Sequence, residues 1–228
     1  MIFIELPSGQ TVERQDIKAF ITEEPADRYI YLMAGTHGDE IEGIFVLQKL
    51  FSWLQSNHDI TSLPIVVLPV LNVDGVQRET RTNAHGVDLN RNMPTKDWTT
   101  EHKSSRYFPG EKALSEPENK FIANLFQQYP PRLIISFHTW KPILNFDGSD
   151  AEPIAKFLGA YNNYKVQDYI GYPTPGSLGT FVKENYQGSV LTFECPEIDE
   201  SKSLNDIWKE NEEGLKKLFE RDFFQASI

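Results

Sequence analysis

A chain of 228 residues is long enough to bury one substantial core, and 39% hydrophobic with 24% charged residues is the composition of a globular protein, not a disordered one. A formal charge of −11 argues against non-specific binding to nucleic acid or anionic membrane, which needs a basic surface, and no run of 18 apolar residues is present to form a transmembrane helix. One cysteine, Cys195, leaves no internal disulfide, and the start MIFIELPSGQ lacks the basic region and apolar stretch of a signal peptide, so the expectation is one cytoplasmic domain over 1–228.

In chain order, residues 2–6 and 11–21 alternate as two strands around the Pro7-Ser8-Gly9-Gln10 turn. The apolar run Tyr29–Ala34 predicts a buried strand, broken by the glycines of GTHGDE. Ile44, Leu47, Leu50, Phe51 and Leu54 have helical spacing over 41–54, and PIVVLPV (64–70) reads as a strand buried on both faces. From 71 to 109 periodicity disappears, and a loop of that length in a compact domain is usually functional. Ser115-Glu116-Pro117-Glu118 predicts a helix start with Ser115 as cap, proline in the first turn and Glu118 completing a capping box. Residues 132–137 form a further strand and 151–161 a helix, and a Pro/Gly-rich loop covers 171–179. A short helix at 180–185, a strand at 189–193 and a closing helix at 203–222 follow. There is no internal repeat or linker, and strands alternating with helices indicate an α/β layer structure with a largely parallel central sheet.

Three of these strands run into residues foreign to a core: Tyr29–Ala34 into His37 and Glu40, LIISF into His138, and SVLTF into Glu194. Sites in open α/β sheets gather outside the carboxyl ends of the strands. His37, Glu40 and His138 form the two-imidazole, one-carboxylate set that catalytic zinc uses, with a water in the fourth position, and Glu194 is then the candidate general base for that water. A lone histidine is more often a surface or hydrogen-bonded residue, which is the reading for His58, His85 and His102; His85 is the competing ligand, because it lies in the long loop. Cys195 is read as a packing residue.

The loop itself carries Asn72-Val73-Asp74-Gly75, Arg81-Thr82-Asn83 and GVDLNRN (86–92). With His37-x-x-Glu40, Ser115-Glu116-Pro117-Glu118, His138 and Glu194 in this order, nearly the whole chain resembles the zinc metallocarboxypeptidase family. The resemblance implies a carboxypeptidase-like three-layer sandwich. It implies one zinc ion on His37, Glu40 and His138, with Glu194 as the catalytic glutamate. It also implies that Arg81 stabilises the oxyanion, Asn90 and Arg91 grip the substrate's terminal carboxylate, and Asp88 orients His37. Tyr172 falls where the family's substrate-capping tyrosine lies, although Pro173 and Pro175 depart from the pattern of the digestive enzymes. A guanidinium suits both proposed arginine roles, as a fixed cation facing developing charge and as a planar fork for a carboxylate.

In its compactness and in THGDE, GVDLNRN and YPTPGSLGTF the chain looks most like the bacterial murein peptide amidases, which cleave the γ-D-glutamyl–diaminopimelate bond. The expected partner is therefore a small peptide with a free C-terminal carboxylate, with no nucleic acid and no membrane; oligomeric state is not readable. Gly179, near the position lining the pocket for the terminal residue, leaves room for a branched polar side chain. Two other readings compete. An N-acyl amino-acid deacylase of the aspartoacylase and succinylglutamate desuccinylase type shares His-x-x-Glu and an arginine-bearing loop, but not Asn72-x-Asp74-Gly75 or the Ser115–Glu118 helix start. A non-catalytic peptide-binding homologue would usually have lost a ligand, the base or the arginine, and all are present.

Overall fold

A computed structural model describes residues 1–57, 63–220 and Phe224. Eight strands form one mixed sheet, in spatial order β1 (Phe3–Glu5), β4 (Phe20–Thr22), β6 (Ile65–Leu68), β5 (Tyr29–Ala34), β7 (Pro131–Trp140), β10 (Ser189–Pro196), β8 (Ile143–Asp147) and β9 (Lys165–Gln167). The centre, β6-β5-β7-β10, is parallel; β1-β4, β4-β6 and β10-β8 are antiparallel, and β8-β9 is parallel again. A small antiparallel ribbon, β2 (Gly9–Gln10) with β3 (Asp16–Ile17), stands apart.

The central strands are apolar on both faces because both are covered. One face packs Leu32, Ile135, Phe137 and Phe193 against α1 (Ile41–Ser56), α4 (Ala151–Asn162) and α6 (Leu204–Glu220). The other packs Tyr31, Met33, Ile134 and Val190 against α3 (Pro117–Gln128) and α5 (Leu178–Tyr186). This is the three-layer α/β sandwich expected from the sequence. A short helix, α2 (Val73–Arg78), lies within the stretch read as loop. Among the described residues no helix is long and apolar enough to cross a membrane.

Several local expectations are corrected. The Pro7–Gln10 turn does not join a hairpin: β1 pairs with β4, the predicted strand over 11–21 is split into β3 and the start of β4, and Gly9–Gln10 of the predicted turn pair with β3 as the small ribbon. Ser115 does not cap α3. The cap position is Glu116 with no side-chain cap bond, and Ser115 Oγ instead donates to Glu116 Oε1 at 2.5 Å. Glu118 closes no capping box either, since its carboxylate accepts from Asn83 Nδ2 (3.1 Å) and Val12 N (3.3 Å). Long-range partners outcompete the local cap because both carboxylates are buried and must be satisfied there. Strands β8 and β9 are absent from the sequence reading, and β7 and β10 run on past His138 and Glu194. His58 and the end of the predicted closing helix, 221–222, lie outside the described residues.

Candidate active site

Two close backbone approaches set the first part of the site. At Gly38 a Cβ would stand 2.0 Å from the carbonyl carbon of Gly75, so only glycine lets the GTHGDE turn lie on α2. At Gly43 a Cβ would meet the backbone of Phe137 and His138 at 2.9–3.0 Å, so α1 sits directly on β7. Glu40, the residue before α1, is thereby carried to His138.

There His37 Nδ1 and His138 Nδ1 lie 3.3 Å apart, with Glu40 bridging them: Oε1 at 2.7 Å from His37 Nδ1 and Oε2 at 2.8 Å from His138 Nδ1. One donor atom from each residue falls within 4.8 Å of the others, and all three residues are buried. The far ring nitrogens are held as well, His37 Nε2 by Asp88 Oδ1 (3.2 Å) and His138 Nε2 by Ser136 Oγ (2.9 Å). This donor set fits zinc. Two ligands on a tetrahedron with arms of about 2.0–2.1 Å are about 3.3–3.4 Å apart, the separation of the two imidazole nitrogens. Outer hydrogen bonds that fix ring orientation are the usual companions of ligating histidines.

Burial disfavours charge on all of these groups, and their neighbours decide the outcome. At Glu40 the two histidines outweigh burial and hold the carboxyl well below its usual range. At His37 burial opposes protonation, but Glu40 and Asp88 outweigh it and raise the imidazole. Asp88 is held low by His37, Arg81 and Arg91 against its own desolvation. Glu194 behaves differently. It lies on β10 in parallel register beside His138 on β7, and burial pushes its carboxyl up to about 7, with Glu40 adding and His138 and Arg81 opposing.

The long loop brings cations to the same place. Asn72 caps α2, accepting from Gly75 N at 2.9 Å, and donates to the Arg81 carbonyl at 3.2 Å. Asp88 then fixes the Arg81 guanidinium through Nε (3.0 Å) and Nη2 (2.9 Å), and Nη1 reaches Glu40 Oε1 at 3.3 Å. Asn90 accepts from Leu178 N at 2.9 Å through its carboxamide oxygen, leaving its NH2 end to meet an anion. The Arg91 side chain is held by the Asn90 carbonyl at 2.7 Å. The rest of the motif is scaffolding: Asn83 and Asn92 tie the loop to Glu116, Asn119 and the carbonyls of Pro109 and Lys112.

The histidines, glutamates and arginines brought together here border one cleft of about 470 Å³ at the C-terminal end of the central strands, with Asp88 behind them. His37, Glu40, His138, Arg81, Asn90, Arg91, Glu194 and Tyr172 line it. Tyr172 stands at its rim, 38% exposed, edge-on to Trp140 with ring centroids 6.5 Å apart. His85 is not among them: its Nδ1 pairs with Glu116 Oε2 at 2.8 Å. His102 stacks edge-on to Phe108, and Cys195 is fully buried. Sequence reasoning missed Tyr107, whose ring lies under both the Arg81 and the Arg91 guanidinium (5.3 and 5.8 Å), and the wall residues Ser136, Thr192 and Asn145. A signal for two of these was present. Ser136 and Thr192 each stand two residues before a polar site residue on an otherwise apolar strand, so they share its face.

The zinc carboxypeptidase family model matches residues 5–214. The chain is 35% identical over 181 residues to murein peptide amidase A of Vibrio campbellii, covering 73% of this chain and 69% of that protein. With murein peptide amidase A of Escherichia coli it shares 31% identity over 182 residues, 73% and 71% of the two chains. Among solved structures it superposes on the murein-tripeptide amidase of Escherichia coli O157 with a TM-score of 0.75 at 25% identity, over 93% of this chain and 90% of that one. Carboxypeptidase A from Helicoverpa armigera gives a TM-score of 0.81 at 18% identity, over 99% of this chain and 69% of that one, a likeness of fold.

Proposed function

The chain belongs to the zinc carboxypeptidase family and is a hydrolytic enzyme, and from that premise we propose that it cleaves the amide bond preceding a C-terminal residue with a free carboxylate, the γ-D-glutamyl–diaminopimelate bond of murein tripeptide. The observation that carries this reading is the meeting of His37, Glu40 and His138 within 4.8 Å, with Glu194 in register beside His138. The names of the relatives supply the substrate class.

His37, Glu40 and His138 would hold the zinc ion. Zinc supplies a Lewis acid for the scissile carbonyl and makes water acidic enough to be a nucleophile near neutral pH. Asn90 and Arg91 receive the terminal carboxylate, which fixes the register of the peptide and sets its last amide over Glu194. Glu194 takes a proton from the attacking water as the oxygen bonds to the carbonyl carbon. Burial raises the proton affinity of the Glu194 carboxylate, which suits it to take a proton from water and pass it on. Arg81, fixed by Asp88, faces the negative charge that develops on the carbonyl oxygen. Glu194 then delivers its proton to the amide nitrogen, the C–N bond breaks, and the products are the acyl carboxylate and the free amine of the terminal residue. Tyr172, at the rim beside Trp140, is the group placed to close over the bound peptide.

The test is a comparison of substrates. L-Ala-γ-D-Glu-diaminopimelate is expected to turn over at least about tenfold faster, by kcat/KM, than a standard α-linked C-terminal peptide or N-acetyl-aspartate. Faster cleavage of N-acetyl-aspartate would move the protein to the deacylases, and no hydrolysis of any of the three by zinc-loaded protein would contradict the reading.

A further inference from the structure

The strand register places a row of small polar side chains across the floor of the cleft. Ser136 on β7 pairs with Thr192 on β10, and Thr192 pairs with Asn145 on β8. Ser136 and Thr192 lie two residues before His138 and Glu194, on the same face of the sheet and about 7 Å further in. Ser136 is committed to His138 Nε2. Asn145 is not committed: its carboxamide oxygen is buried and has no hydrogen-bond partner, although the residue lines the cleft. A buried amide oxygen left unmatched by the protein calls for an external partner.

The space above this row is open. A Cβ at Gly179, on the first turn of α5 and also lining the cleft, would meet nothing within 4 Å. The grip for the terminal carboxylate adjoins the same helix, since Asn90 Oδ1 accepts from Leu178 N. A residue anchored by Asn90 and Arg91 therefore extends its side chain toward Thr192 and Asn145, with room for a long one. Asp147 stands two residues beyond Asn145 on β8, paired with Lys183, and Asp168 one residue beyond Gln167, the β9 partner of Asn145; both line the cleft. An acceptor without a partner near these carboxylates is suited to a cation.

We propose that Asn145, with Thr192 beside it, is the specificity-determining residue for the terminal amino acid, and that it reads an amino group at the far end of a long side chain. The inference rests on the carboxyl-terminal amidase reading above and names what that reading leaves open. A diaminopimelate or lysine side chain carries the required ammonium five bonds from its α-carbon. A half-turn of the carboxamide offers the cleft its oxygen as acceptor.

The experiment uses zinc-loaded full-length protein and four tripeptides, L-Ala-γ-D-Glu followed by diaminopimelate, lysine, 2-aminopimelate or norleucine. The first two carry the distal ammonium and the last two lack it. Wild type is expected to favour the ammonium-bearing pair by about tenfold or more in kcat/KM. Asn145→Leu is expected to erase that preference while norleucine cleavage is kept, and Asn145→Asp to retain or sharpen it. Equal cleavage of the diaminopimelate and 2-aminopimelate peptides by wild type would overturn the proposal and leave the amidase reading intact. A preference that survives in Asn145→Leu would overturn it too. Failure to cleave any of the four would instead count against the parent reading. If Asn145→Leu does not fold, the Asn145→Asp and Thr192→Val ratios decide by the same comparison, a ratio for Thr192→Val reduced toward one and for Asn145→Asp undiminished being the expected result.

Discussion

At the scale of single residues the site is a set of charges held in place by other charges. Arg81 has two carboxylate partners and an aromatic ring beneath it, so its direction is fixed before substrate arrives. Arg81→Ala is expected to lower kcat by about 10²–10³-fold with a smaller change in KM, the pattern for a group acting mainly on the transition state. Arg91→Ala is expected to act mainly on KM, measured on the same peptide, because a terminal carboxylate is present in ground and transition states alike. Glu194 also carries a stability signature. Its folded carboxyl titrates at about 7 against an ordinary 4.5, so the favourable contribution is complete below about pH 4.5 and is lost as pH rises through 7. In metal-free protein, Glu194→Gln removes that loss. The variant should gain about 3 kcal/mol on wild type between pH 4.5 and 8, read by urea unfolding at each pH. A difference that stays constant across this range would contradict the assignment.

At the scale of elements, what matters is how α1 and the long loop are seated. Gly43→Ala places a methyl group against the backbone of Phe137 and His138, which cannot yield as a flexible side chain could. It is expected to cost about 1–3 kcal/mol in denaturant unfolding and to weaken zinc binding as well, because the displaced helix carries Glu40 with it. Much of this level was legible beforehand. Tyr29–Ala34, the helix after it and the strands leading to His138 and Glu194 announce themselves by apolar runs and helical spacing, since the physics that buries them is local. The last two strands on one side of the sheet, β8 and the edge strand β9, were not legible. ILNFD alternates only weakly and gains its place by pairing with β10, a partner more than 40 residues later. The capping box at Ser115 failed for the related reason that Asn83, His85 and Val12 compete for the same carboxylates from far away in sequence. Asn145 stayed hidden with its strand, because nothing in the sequence puts it on the cleft wall until the β8-β10 register is known.

At the scale of the whole molecule, the sheet does two things with one face. α3 and α5 cover the face over its lower half, where Ile134 and Val190 pack, and leave it open two residues further on, where Ser136, His138, Thr192 and Glu194 appear. The same period-2 alternation therefore builds core and cleft in turn. The proposed metal site, His37, Glu40 and His138, joins β5, α1 and β7, so occupancy should stabilise the assembly as a unit. Chelation of zinc-loaded protein is expected to lower the melting temperature, and zinc returned at about 100 times its Kd to restore roughly 2.7 kcal/mol. A melting temperature indifferent to zinc would count against a site spanning those elements.

The most direct test of the central claim, that His37, Glu40 and His138 hold a metal over which Glu194 works as base, is a paired measurement on Glu194→Gln. Zinc content and turnover of L-Ala-γ-D-Glu-diaminopimelate are measured on the same preparation. The account predicts one zinc per chain, as in wild type, with kcat reduced by about 10²–10⁴-fold. Hydrolysis near the wild-type rate with zinc bound, or wild-type protein that takes up no zinc, would contradict it.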